Sequence, residues 1–148
     1  MHLLVCMTQM GNNENIELIK TLFKAFGQGD IPTVLKMLSE EVEWQSPVSR
    51  ITDRETISWA SLRKGSEEVA QFFKELGEKM KPEPFQIHRY TAQNDTVVVE
   101  GSNKGIVRST SSVYEHDWVM VFTVSHGKIM SCHHYYDTAD LEISFKGS

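Results

Sequence analysis

Tyr114 to Asp137 reads YEHDWVMVFTVSHGKIMSCHHYYD, and this stretch decides the fold. Side chains on a strand alternate between two faces, so Tyr114, His116, Trp118, Met120, Phe122 and Val124 share one side. Val113, Glu115, Asp117, Val119, Val121 and Thr123 share the other. His126-Gly127 suits a two-residue hairpin tip, where the backbone must take positive φ. Counting back from that tip sets His116 opposite Asp137, Trp118 opposite Tyr135 and Met120 opposite His133. One face then collects aromatic surface, two imidazoles and a carboxylate, the makeup of a ligand pocket. This register sets Ile129 against Val124, and a one-residue slip would exchange every inward and outward side chain.

Upstream the pattern changes. Ile16, Ile19, Leu22, Phe23 and Phe26 recur at helical spacing over Glu14–Phe26, and Gly27 and Gly29 end that helix. Asp30 is a suitable N-cap for a short helix over Ile31–Leu38, with Pro32 in its first turn. Glu41–Gln45 alternates as a strand carrying Val42 and Trp44, and Pro47 stops it. From Val48 to Lys64 there is no periodicity; a loop that long often serves as a lid or binding loop, and it holds Trp59. Ser66 is read as the cap of a third helix, whose buried stripe is Val69, Phe72, Phe73, Leu76 and Met80. Strands are expected at Phe85–Ala92, Thr96–Val107, Val113–Val124 and Ile129–Tyr136, separated by turns at Asn94-Asp95, Ser109–Ser112 and His126-Gly127. Helices followed by a meander predict an α+β domain with a curved sheet.

The 148 residues suffice for one domain. Residues 1–13 are read as an N-terminal extension and 14–148 as the domain. A net charge of −5 with scattered basic residues argues against a nucleic-acid partner. No apolar run approaches the roughly 20 residues of a membrane span. Cys6 and Cys132 make no disulfide framework, which points to the cytoplasm. His133 and His134 point to opposite faces and form no chelate; His116, His133 and Asp137 are of metal-ligand type, but without Glu-x-x-His or Cys spacing no metal is expected.

Several short motifs occur in order: Phe26-x-x-Gly29-Asp30, Trp59-Ala60 with Gly65 and Phe72-Phe73, Gly127-Lys128-Ile129, and Tyr135-x-Asp137. Together they resemble a SnoaL-like domain of the ketosteroid-isomerase-like, nuclear-transport-factor-2-like superfamily, across about Asn15 to Leu141. The resemblance implies a cone-shaped, curved mixed or antiparallel sheet with three N-terminal helices over an apolar cavity, usually in a homodimer. The superfamily hosts isomerases, cyclases, hydrolases and non-enzymes; if this chain is an enzyme, no cofactor is expected. The isomerase base position falls at Ser46, the oxyanion tyrosine at Leu22 and the assisting acid near Trp118, so steroid isomerisation by that route is not expected. Similarity to the polyketide cyclases, in Asp137-Thr138-Ala139-Asp140-Leu141, makes Asp137 the candidate acid/base and His116 its partner. Asp137 is equally readable as a cap of the turn after the strand, and His116 as a histidine satisfied by backbone. Trp44, Trp59, Trp118, Met120, His133, Tyr135 and Phe23 are the expected pocket lining. The ligand would be a small apolar or carbonyl-containing molecule, isomerised, cyclised or dehydrated; a non-catalytic binding or dimerisation module is the alternative. Val119, Val121, Cys132 and Tyr136 are expected on the outer sheet face, where a partner copy would cover them.

Overall fold

A computed structural model describes residues 11–47, 56–57 and 59–147. The elements are α1 (Asn12–Gly27), α2 (Ile31–Lys36), β1 (Leu38–Gln45), β2 (Leu62–Lys64), α3 (Gly65–Lys79), β3 (Met80–Pro82), β4 (Gln86–Gln93), β5 (Thr96–Val107), β6 (Val113–Ser125), β7 (Lys128–Tyr136) and α4 (Thr138–Lys146). Cys6 and the expected loop residues 48–55 lie outside the described residues.

The strands form one mixed sheet in the order β2-β1-β7-β6-β5-β3, and β4 pairs with β5 beside β3. All neighbours are antiparallel except β1 and β7, which run parallel. Helices cover the inner face of this curled sheet. Ile19, Leu22 and Phe23 of α1, Val34 of α2 and Val69 and Phe72 of α3 are buried with Val42, Trp44, Val97, Val99 and Phe122 of the strands. Burying each such side chain contributes about 1.5–3 kcal/mol, so this shared core outweighs the intrinsic preference of any one helix.

Local chemistry sets the boundaries. Asp30 caps α2 as expected, accepting from Thr33 N–H at 3.2 Å and from the Thr33 hydroxyl at 2.6 Å. Those bonds hold its carboxyl below the usual carboxylate range. Ser66 is not the cap of α3: that helix begins after Lys64, whose N–H donates to Glu68 Oε1 at 3.3 Å. A fourth helix, α4, follows β7 and adds to the three expected.

Gly101 and Gly105 exist for neighbouring rings rather than for empty space. A Cβ at Gly101 would lie 2.5 Å from the Trp118 ring and 2.4 Å from the Gln86 carbonyl oxygen; one at Gly105 would lie 2.2 Å from the Tyr114 hydroxyl.

The β6–β7 hairpin corrects the expected register. Its tip is as anticipated, with His126 at φ 51° and Gly127 at φ 72°, and Ser125↔Lys128 and Val124↔Ile129 paired. Thr123 then pairs with Ser131, so Met130 is a bulge. Beyond it every partner moves by one: Phe122↔Cys132, Met120↔His134 and Trp118↔Tyr136. A bulge gives one strand an extra residue and exchanges the faces of all that follow. His134 and Tyr136 therefore share the inner face with His116 and Trp118, and Cys132 is buried. His133 and Tyr135 face outward; they stack on each other at 4.1 Å, and Tyr135 is 48% exposed.

Candidate functional site

The inner face near the start of β6 carries a connected polar group. His116, with a side chain only 6% exposed, places Nδ1 at 2.9 Å from Asp140 Oδ2. The same oxygen accepts the Glu115 N–H at 3.1 Å. A carboxylate only accepts, so in the neutral imidazole Nδ1 carries the proton and Nε2 keeps its lone pair. Asp140 lies in the first turn of α4 and Asp137 is the N-cap of that helix, accepting the Asp140 N–H at 3.0 Å. Asp137 thus sits exposed at the cap and has a structural task. The carboxylate that meets His116 is three residues further on.

Tyr136 lies against His116, with ring centroids 5.5 Å apart and planes 21° from parallel. Its hydroxyl accepts the indole N–H of Trp59 at 3.3 Å. Burial pushes the phenol up to about 12, against the lowering effect of that bond, and Glu142 adds a little. The phenol is therefore neutral near pH 7 and holds a proton to donate. Trp59 is itself buried against Phe145 of α4, with ring centroids at 5.2 Å. One helix thus braces both groups, through Asp140 and through Phe145.

His134 sits on the other side of Tyr136, at 4.9 Å, with Trp118 at 6.1 Å. Burial, with the nearby imidazoles of His116 and His133 adding to it, pushes His134 down to about 3. It is a neutral ring across the physiological range. Among the described residues its Nε2 is buried without a hydrogen-bond partner, as are Trp44 Nε1, Ser46 Oγ, Asn103 Oδ1 and Asn15 Oδ1.

Of the residues expected to line a pocket, Phe23 stacks on Trp118 at 5.6 Å and 14°, Trp44 packs among Phe26, Phe72, Phe73 and Phe122, and Met120 is half-buried on the same face. Trp59 is on the Tyr136 side. His133 and Tyr135 do not join them. Sequence reasoning missed His134, Tyr136 and Asp140 as members of this group. The Met130 bulge left no mark in the pattern, but an Asp three residues after the Asp137 cap is a helix-start signal.

A concavity of about 420 Å³ lies on the outer side of β4–β6, lined by His88, Arg89, Glu100, Asp117 and Val119 with Gly101 and Trp118. On its rim Arg89 is paired with Glu100 at 2.5 and 2.9 Å. Among the described residues, no group of three His, Cys, Asp or Glu side chains is placed to hold a metal ion. No helix there is long and apolar enough to cross a membrane.

The model of the SnoaL-like domain family matches residues 19–132, most of the chain. The chain belongs to the SnoaL-like domain family. Among solved structures, this SnoaL-like protein is similar to a nuclear-transport-factor-2-like protein from Burkholderia xenovorans LB400, with 29% identity over 92% of this chain and 98% of that one and a TM-score of 0.78. TerC, co-crystallised with polyporic acid, shares the fold at 21% identity and TM-score 0.77, over 89% of this chain and 98% of TerC. So does a protein from Mesorhizobium loti provisionally described as a SnoaL-like polyketide cyclase, at 16% identity and TM-score 0.66, over 82% and 97% of the two chains. Comparison with curated proteins returns no match.

Proposed function

We propose that this SnoaL-like protein binds a small carbonyl-containing molecule in an apolar pocket between its helices and the inner sheet face, and moves a proton on it. The Asp140-oriented His116 removes a proton from the carbon next to the carbonyl through Nε2. Tyr136 donates a hydrogen bond to the carbonyl oxygen as negative charge builds there, and the imidazolium returns the proton at the same or a conjugated carbon. Return of the proton to carbon gives isomerisation. In a cyclisation the enolate carbon instead attacks a second carbonyl and the imidazolium protonates the new alkoxide. In a dehydration it protonates the departing hydroxyl, with neither metal nor organic cofactor needed in any of the three. The observation that carries the reading is the stacked His116–Tyr136 pair, each ring held by its own hydrogen-bond partner. TerC, co-crystallised with polyporic acid, gives the fold a small-molecule precedent.

The test is exchange of the α-protons of 1-tetralone in D2O, followed by NMR. Wild-type protein should accelerate exchange, and His116→Gln should abolish the acceleration. Ketone binding with exchange no faster than in buffer overturns the catalytic part and leaves the passive binding module, a reading favoured by Leu22, Ser46 and Trp118 at the isomerase positions.

The same proposal keeps a homodimer through the outer sheet face, now on narrower grounds. Cys132 and Tyr136 have left that face, while Val119 and Val121 remain on it and His133 and the exposed Tyr135 have joined it. Sedimentation showing a monomer at micromolar concentration would remove it. Cys132 is a free, buried thiol whose pKa burial raises, which fits a reducing cytoplasmic setting.

A further inference from the structure

Trp44 and Ser46 lie on one face of the chain leaving β1, with Val42 before them, and all three are fully buried. One step past the last parallel pair, Gln45↔His133, Ser46 comes level with His134 on β7. Among the described residues, Ser46 Oγ, Trp44 Nε1 and His134 Nε2 are each buried without a hydrogen-bond partner. Isolated orphans of this kind are uncommon in folded proteins, and three on two adjacent strands of one face call for a common partner. The Ser46 backbone is satisfied separately, its N–H donating to the Ser61 carbonyl at 3.4 Å.

We infer that the ligand carries a neutral hydroxyl group, received by Ser46 Oγ and His134 Nε2 with Trp44 Nε1 beside them. The inference deepens the function proposed above and rests on it. A hydroxyl both donates and accepts, which suits a serine that does both, an indole that only donates and an imidazole nitrogen that does one. A carboxylate is disfavoured, because these three groups bring no cation and His134 stays neutral. In the β6–β7 register the row of Tyr136 and Trp118 lies between that of His134 and that of His116. Adjacent rows on one face are two residues apart, roughly 7 Å. The carbonyl at Tyr136 and the hydroxyl at Ser46 therefore belong on opposite ends of a compact ring system.

The probes are 6-hydroxy-1-tetralone, with its two oxygens at opposite ends of a fused bicycle, and 1-tetralone, which lacks the hydroxyl. Titration calorimetry on the wild type should find the hydroxyketone bound about tenfold tighter. Ser46→Ala should erase that preference, so that the variant binds the two ketones with equal affinity. The melting temperature of the free variant should stay level or rise, since the change removes an orphaned hydroxyl. Equal affinity of the wild type for both ketones overturns the hydroxyl subsite and spares the pocket, as water filling the site would produce. A Ser46→Ala melting temperature well below wild type also overturns it, by revealing a protein partner for Oγ. Failure of both ketones to bind the wild type sinks the pocket and this inference together.

Discussion

The indole N–H of Trp59 reaches the hydroxyl of Tyr136 at 3.3 Å, joining the segment before β2 to the end of β7. Removing the hydroxyl strands a buried indole donor, which costs about 1–3 kcal/mol. Tyr136→Phe should therefore lower stability at pH 7 by that order. It should also remove an alkaline dependence. The folded phenol titrates near 12 against an ordinary 10, so its stabilisation is complete below pH 10 and is lost as pH rises from 10 to 12. Urea midpoints across that range should fall less steeply in Tyr136→Phe than in wild type.

Asp137 and Asp140 separate cap from chemistry. Asp137→Ala should cost about 1 kcal/mol by uncapping α4 and leave ketone exchange intact. Asp140→Asn should fold normally and slow exchange by about a hundredfold or more, because an amide no longer fixes the proton on His116 Nδ1. Equal exchange rates in the two variants would remove Asp140 from the mechanism.

His134 should make the protein acid-sensitive. Its folded pKa, near 3, lies below the ordinary 6.5, so the unfolded chain binds a proton that the folded one refuses. Stability is unaffected above pH 6.5 and declines as pH falls from 6.5 toward 3, with a limiting slope of about 1.4 kcal/mol per pH unit. Denaturation midpoints of His134→Gln should decline less over that window. Parallel pH profiles for the two proteins would contradict the assignment.

Gly101→Ala should destabilise by about 1–3 kcal/mol, read as a lowered melting temperature. The added methyl meets both the Trp118 ring and the backbone oxygen of Gln86, and the second of these cannot rotate away. A melting temperature equal to wild type would show that β4 yields there.

The elements with strong periodicity were legible in the sequence. The α1 stripe from Ile19 to Phe23, the α3 stripe from Val69 to Phe72 and the turns at Asn94 and His126 all lie where propensity and spacing put them. The three-residue strands β2 and β3 were not legible, since Leu62–Lys64 and Met80–Pro82 are too short for alternation to register. Helix α4 has little amphipathic contrast, and only its ends carry signals: Asp137 at the start and Gly147, at φ 73°, after the finish. The site was half legible. His116, Trp118, Trp44 and Phe23 follow from alternation within their own elements. His134, Tyr136 and Asp140 depend on how β7 is threaded against β6, and the bulge at Met130 has no composition of its own.

That single supernumerary residue has an evolutionary reading. Excising Met130 would join Ile129 directly to Ser131 and leave every pair from Thr123↔Ser131 to Trp118↔Tyr136 as it stands, so His134 and Tyr136 would stay on the inner wall. A lineage of such domains can thus shed its extra residue by a codon-sized deletion while the reactive wall and the surrounding framework stay in place.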